Sequence, residues 1–262
     1  MQATANQSDR APPGRLFLVP APLDFGCTEI APLAQSIPHG TLSIAANIRD
    51  WICENAKSTR AYLKRIAEIT PLCAPLQEQT FTELPRAIHK KGDHNGDFDA
   101  RYLLAAAAQG RDIGLVSEAG MPAIADPGSS VVRAAHNLGV TVVPLVGPAS
   151  LLLALAASGL NGQNFAFVGY VPQDPTQRAQ RLRELETLAL KSGQTQLFIE
   201  TPYRNSALLQ TLIQTLKPHT RLATATGLTL SDARCISSSI QQWKQQNWQL
   251  DNATPTVFAI GA

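Results

Sequence analysis

Three stretches of this sequence gather residue types that could do chemistry. The longest is Leu115-Val-Ser-Glu-Ala-Gly-Met-Pro-Ala-Ile-Ala-Asp-Pro-Gly128, a strand-like start running into a loop of small residues with two prolines and two glycines. Side chains that small let a ligand lie against the backbone, whose N–H and C=O groups then do the recognition. An ordinary βα turn is the alternative, although simple βα connections take only ~2–6 residues. The second stretch is Val146-Gly-Pro-Ala-Ser150, again a strand end meeting a helix start. Ligands of α/β sheets collect outside the carboxyl ends of strands, so these two loops are expected to face one crevice. The third, Phe198-Ile-Glu-Thr-Pro-Tyr-Arg-Asn205, sets Glu200, Tyr203 and Arg204 at a strand's carboxyl end. An acid and an arginine four apart can orient a ligand or simply pair with each other, and the spacing does not choose between these.

Other chemistries are excluded by pattern. The chain has no G-x-x-x-x-G-K-[ST] phosphate loop, no G-x-G-x-x-G dinucleotide turn, no H-E-x-x-H and no G-x-S-x-G elbow. His39, His89, His94, His136 and His219 include no i,i+4 pair, and His89 and His94 read as solvated loop residues. Cys27, Cys53, Cys73 and Cys235 form no C-x-x-C, which argues against a zinc knuckle or a disulfide framework. No metal is expected, and the cysteines read as reduced, packed thiols of a cytosolic protein.

The elements that must position these segments come from a chain of 262 residues, 44% apolar and 16% charged, which folds as one large domain or two small ones. A net charge of +2 gives no general electrostatic grip on nucleic acid, while leaving room for a local basic stripe. The 40 residues Ala134–Gln173 lack Asp, Glu, Lys and Arg. Pro144, Gly147, Pro148, Gly159 and Gly162 cut that window into strand and short-helix lengths, so no membrane span is expected.

Strands are predicted at Leu16–Val19, Leu42–Ala46, Ile113–Ser117, Val140–Leu145, Phe165–Val168, Gln196–Glu200, Leu222–Thr226 and Thr256–Ile260. Helices are predicted at Asp50–Glu68, Phe98–Gln109 (with Asp97 as N-cap), Ser129–Leu138, Ser150–Ser158, Thr176–Leu190, Asn205–Leu216 and Ile240–Gln246. Thr70–Gly96 shows no clear period. This alternation is α/β. The Val146–Ala149 hinge divides it into a flexible tail over 1–14, which lacks the apolar stretch of a signal peptide, an N-terminal α/β domain over 15–147 and a C-terminal α/β domain over 148–262.

At these segments the chain resembles a known family. L-V-S-E-A-G-M-P-A-I-A-D-P-G is similar to the V-S-D-A-G-T-P-x-I-S-D-P-G signature of bacterial 16S rRNA cytidine 2′-O-ribose methyltransferases, members of the tetrapyrrole methylase-like superfamily of S-adenosylmethionine (SAM) enzymes. V-V-P-L-V-G-P-A-S is similar to V-x-P-x-P-G-P-x-A, and F-I-E-T-P-Y-R to F-Y-E-S-P-H-R. A-S-G-L-N-G-Q-N-F-A-F-V-G-Y-V-P and the N-terminal G-R-L-F-L-V-P-A-P-L continue the match, which spans Gly14 to Asn205 in order.

The departures mark a divergent branch. The family's A-T-P-I-G-N continues here as P-A-P-L-D-F, and its E-D-T-R reads Glu54-Asn-Ala-Lys-Ser-Thr-Arg60. Its H-E-H-N survives as Asp93-His94-Asn95, with His89 a competing match, and the chain is shorter than that enzyme usually is. The G-x-G-x-G-D loop of porphyrin-modifying relatives is replaced by Pro20-Ala-Pro-Leu-Asp24, which disfavours a tetrapyrrole substrate.

The resemblance implies two α/β domains with an inter-domain SAM cleft. Pro22, Ser117, Ala119, Gly120, Met121, Ile124, Ala149, Ser150, Thr201 and Thr226 would line the cofactor. Glu118, Glu200 and Arg204 are the candidates for catalysis, the two acids as bases for a ribose hydroxyl. It also implies ribosomal RNA or the small ribosomal subunit as partner, a homodimer, and a cytoplasmic location. Arg178, Arg181 and Arg183 on Thr176–Leu190 read either as a phosphate-facing stripe or as a solvated face paired with Glu184 and Glu186. A SAM methyltransferase for a small-molecule or protein substrate and a non-catalytic SAM-binding module stay open beside the rRNA reading.

Overall fold

The structure is a computed structural model describing residues 12–91, 93 and 98–262. The tail assigned to 1–14 lies outside these up to residue 11, as do His94, Asn95 and the N-cap assigned to Asp97. The described residues up to Pro22 form one compact unit with Pro32–Pro148, and Leu23–Ala31 form another with Ala149–Ala262.

The first unit contains β1 (Leu16–Leu18), α1 (His39–Ala46), β2 (Asp50–Cys53), α2 (Ala56–Ala67), β3 (Thr80–Glu83), α3 (Arg86–Lys91), α4 (Ala105–Ala108), β4 (Ile113–Val116), α5 (Ser129–Asn137) and β5 (Val142–Pro144). Its five strands run β3-β2-β4-β1-β5 with every neighbouring pair parallel. Such a sheet must be covered on both faces. Phe17, Trp51 and Val116 pack with Leu42, Leu63 and Ile66 of α1 and α2. Leu16, Ile52 and Leu115 pack with Leu104 and with Val131 and Ala135 of α5 on the other face.

The second unit contains α6 (Ser150–Ser158), β6 (Phe165–Tyr170), α7 (Pro175–Ser192), β7 (Thr195–Ile199), α8 (Asn205–Thr215), β8 (Arg221–Thr226), β9 (Arg234–Ser239), α9 (Ile240–Gln246) and β10 (Thr256–Gly261). Its five strands run β6-β7-β10-β8-β9, with only β6 and β7 parallel. Phe198, Phe258 and Leu222 pack under α7, α8 and α9 around Leu185, Leu212 and Trp243. Leu197, Ala225 and Val257 pack on the opposite face against Leu151 and Leu155 of α6.

Several predicted elements are corrected. Leu42–Ala46 is helix, not strand, because Pro38 presets the entry (φ −59°) and Leu42, Ala45 and Ala46 bury one face at i, i+3, i+4. The predicted helix over Asp50–Glu68 is a strand followed by a helix. Trp51 and Ile52 enter the sheet as β2, and Asn55 starts α2 by accepting N–H bonds from Lys57 (2.9 Å) and Ser58 (3.4 Å). Phe98–Gln109 shortens to a 3-10 turn at Arg101–Leu104 followed by α4. The polar edge strands β3 and β9 were not foreseen.

Candidate functional site

Parallel strands place their carboxyl ends together, and in the first unit those of β1, β4 and β5 are adjacent. Beyond β1 and β4 the backbones of Ala21 and Gly120 pair again, N–H to O in both directions at 2.9 and 3.0 Å. Gly120 makes that bridge at φ 69°, a left-handed conformation that favours glycine. Beyond β5, Gly147 lies so close to Pro20 that a Cβ would come within 2.2 Å of its ring. Thr41 donates its hydroxyl to the Val146 carbonyl (2.8 Å), and Tyr62 donates its own to the Pro20 carbonyl (2.8 Å). The three strand ends are therefore held by backbone contact and by helices α1 and α2.

The loop after β4 is rich in alanine, glycine and proline, and it is strained. Ala123 (φ 64°) and Ala125 (φ 66°) both sit in the left-handed region, which costs L-residues about 1–2 kcal/mol each. Ser117 is buried, and its hydroxyl has no hydrogen-bond partner among the described residues, an orphaned group that a bound ligand could satisfy. Pro22 and Gly120 are buried, Ala119 and Met121 half-buried, and Ile124 exposed. These six sequence-predicted residues are brought together in the first unit.

Glu118 gathers further acids. Ser58 donates its hydroxyl to Glu118 (3.2 Å), and the Glu118 N–H donates to the carboxylate of Glu54 (3.2 Å). Burial, helped by the charges of Glu54 and Glu118, pushes Asp126 up to about 7. That carboxyl is poised to exchange a proton near neutrality. The sequence singles out Glu118 but assigns no role to Glu54, which directly follows β2, or to Asp126 within the same motif as Glu118. Among the described residues no cluster of ligating side chains could hold a metal ion.

In the second unit, β7 and β8 are each antiparallel to β10, so their carboxyl ends lie at one end of the sheet. There Glu200, buried, accepts from the Thr201 N–H (3.1 Å), the Thr201 hydroxyl (3.1 Å) and Nε of Arg204. Glu200 and Arg204 are thus a pair, with the Arg204 side chain 20% exposed and its guanidinium 5.1 Å from the Tyr203 ring centroid. Thr226 shares a hydrogen bond with Thr256 (3.0 Å), and Asn205 donates to Thr256 (3.2 Å) and to the Thr254 carbonyl (2.8 Å). Ala149 and Ser150 open α6, which lies on one face of the same sheet. Asn205 and Thr256 were missed, since their link spans 51 residues.

The three arginines of α7 do not form one stripe. Arg181 and Arg183 flank the buried Leu182, and residues two apart do not share a helix face. Arg181 pairs with Glu184 at 3.4 Å, whereas Glu186 is buried and accepts from the Lys217 N–H (2.7 Å) and the Thr220 hydroxyl (2.5 Å).

Two α/β units whose small-residue loops and polar turns sit at strand ends define the structural class. The chain belongs to the tetrapyrrole (corrin/porphyrin) methylases, whose family model matches residues 48–243. A protein of Xylella fastidiosa called ribosomal RNA small subunit methyltransferase I is 32% identical over 200 residues, which make up 76% of this chain and 63% of that protein. The protein of the same description from Vibrio cholerae is 37% identical over 137 residues, 52% of this chain and 46% of its own. The chain thus spans about half the length of the curated relatives it matches.

The crystal structure of the methyltransferase CobJ resembles this chain with a TM-score of 0.53 at 18% identity, covering 95% of this chain and 94% of that one. Uroporphyrin-III-C-methyltransferase from Thermus thermophilus does so at 0.51 and 17%, with the same coverage. These two likenesses establish the fold. The correspondence extends over nearly the whole of each chain. Among the described residues no helix is long and apolar enough to cross a membrane.

Proposed function

We propose that this chain is a SAM-dependent methyltransferase acting on a ribose 2′-hydroxyl of small-subunit ribosomal RNA. The family membership and the description of the relatives support it. The observation that carries it is the loop after β4, where the Ala21–Gly120 bridge, a row of small residues and the orphaned Ser117 hydroxyl leave backbone and one buried polar atom free to receive a ligand. SAM carries no phosphate, so the lack of a phosphate loop is no obstacle.

Pro22, Ser117, Ala119, Gly120, Met121 and Ile124 of the first unit would hold the cofactor. When bound, SAM supplies an activated methyl group for in-line displacement. The protein's share is to orient the acceptor hydroxyl and to take its proton. Glu118 suits the second task, sharing its surroundings with Glu54 and Asp126. Glu200 suits it less. Its carboxylate is already occupied by the Arg204 guanidinium and by Thr201, so Glu200 and Arg204 would shape the Thr201–Arg204 turn and present Tyr203, which is 67% exposed, to the substrate.

A homodimer is part of the same reading. Helix α6 buries Leu151, Ala154 and Leu155 on the sheet, and its other side leaves Leu152 and Leu153 56% and 40% exposed. Four free cysteines and a ribosomal substrate fit the cytoplasm. The test is transfer of tritium from labelled SAM to small ribosomal subunits that lack their ribose methyl groups. Label in an alkali-resistant dinucleotide is the expected result. Binding of SAM without transfer to subunits would remove the RNA substrate and leave the small-molecule or protein acceptor.

A further inference from the structure

Helix α5 starts without a cap of its own. Its N-cap residue, Gly128, has no side chain and sits at φ 139°, and its first turn contains no acidic residue. The orphaned donors are instead met by Asp93, which lies 35 residues earlier in the chain. One carboxylate oxygen accepts from the Gly128 N–H (2.9 Å), the Ser130 N–H (2.9 Å) and the Ser130 hydroxyl (2.6 Å), and the other from the Ser129 hydroxyl (2.6 Å). Arg133 also donates to the Asp93 carbonyl at 3.1 Å. Asp93 does from outside the helix what an N-cap aspartate does from within, and it places its charge on the positive end of the helix dipole. Burial works against that charge, but the hydrogen bonds outweigh it and hold the carboxyl below its usual range.

The loop between the Gly120 bridge and this clamp contains both left-handed alanines. Strained backbone persists only where its surroundings over-determine it. Here one end is held by the pairing with Ala21 and the other by Asp93.

We propose that Asp93 is a positioning residue that holds the Met121–Gly128 loop in its strained, ligand-receiving conformation. The inference rests on the reading of that loop as the SAM site. It assigns a task to the Asp93 that the sequence aligns with the family's H-E-H-N motif.

The test compares wild type, Asp93→Asn, and Leu212→Val, a variant in the core of the second unit that loses stability without touching the loop. Affinity for S-adenosylhomocysteine is measured by calorimetry below all the melting transitions, and amide hydrogen exchange is followed by mass spectrometry. Asp93→Asn should weaken binding about tenfold, or by about 1.4 kcal/mol. It should also speed exchange in peptides covering 121–130, and Leu212→Val should do neither. Wild-type affinity in folded Asp93→Asn would overturn the proposal. If that variant does not fold, Ser130→Ala removes a single bond to Asp93 and should weaken binding by about two- to fivefold. Unchanged affinity there would overturn it equally. If wild type itself binds no S-adenosylhomocysteine, the SAM reading fails, and exchange decides the clamp: unaltered exchange over 121–130 in Asp93→Asn contradicts it.

Discussion

The loop that follows β4 and the turn that follows β7 both carry the chain from a strand's carboxyl end into a helix, yet they are held by different means. The first is made largely of backbone: a bridge between Ala21 and Gly120, two alanines at positive φ, and a helix start whose amides are satisfied by Asp93. The second is made of side chains, with Glu200 binding Thr201 and Arg204 while Asn205 ties the start of α8 to Thr254 and Thr256. A backbone-built loop presents N–H and C=O groups and tolerates few added atoms. A side-chain-built turn tolerates changes of shape but not loss of a charge.

That contrast predicts its largest effect in the second unit. Arg204→Ala strands the buried Glu200 carboxylate without its cation and should cost about 3–5 kcal/mol in denaturant unfolding. Arg204→Lys keeps the charge but not the planar guanidinium, and should cost less. If Arg204→Ala unfolds at the wild-type midpoint, the turn does not depend on the pair.

Asp126 comes next, through pH. A carboxyl raised from 3.8 to about 7 in the folded state destabilises that state as pH climbs through this window, by up to ~4 kcal/mol at 1.36 kcal/mol per unit. Below pH 4 both folded and unfolded forms are protonated and the penalty vanishes. Asp126→Asn should therefore gain on wild type progressively from pH 4 to 8. A stability difference that stays level over this range would mean that Asp126 titrates normally.

Gly147→Ala tests the backbone-built side directly. Its Cβ would meet the Pro20 ring at 2.2 Å, and a proline ring cannot swing aside, so a loss of about 1–3 kcal/mol is expected in thermal unfolding. Wild-type stability would show that the β1 and β5 ends are free to part. The smallest effect is of opposite sign. Ala125→Gly relieves a left-handed alanine at φ 66° and should stabilise by up to ~1 kcal/mol, net of the entropy glycine adds to the unfolded chain. A loss of stability would place the cost of the loop elsewhere.

The same contrast explains what was legible in the sequence. Small residues packed between a strand pattern and a helix pattern announced the loop of Ser117–Gly128, and Glu200 and Arg204 were visible four apart. Helices α6 and α9 kept their predicted bounds, α6 closed by Gly159 in left-handed conformation and α9 opened by the Ser239–Gln242 capping box. What stayed hidden depends on distant partners. Glu54 meets Glu118 across 64 residues, and Asp93 meets Ser130 across 37. Strand β2 was hidden because its four residues run almost directly into an amphipathic helix, merging two periods into one. Strands β3 (TFTE) and β9 (RCISSS) are sheet edges, partly solvated and too polar to stand out.

The central claim is that the backbone of the loop after β4 receives the cofactor. The most direct measurement is calorimetric titration of S-adenosylhomocysteine into wild type and into Gly120→Val, with cooperative melting checked for both. Wild type should bind with one-to-one stoichiometry, and the folded variant should not bind, because a branched side chain at φ 69° fills the space beside the Ala21 bridge. Equal affinity in a folded Gly120→Val, or no binding by wild type, would contradict the account.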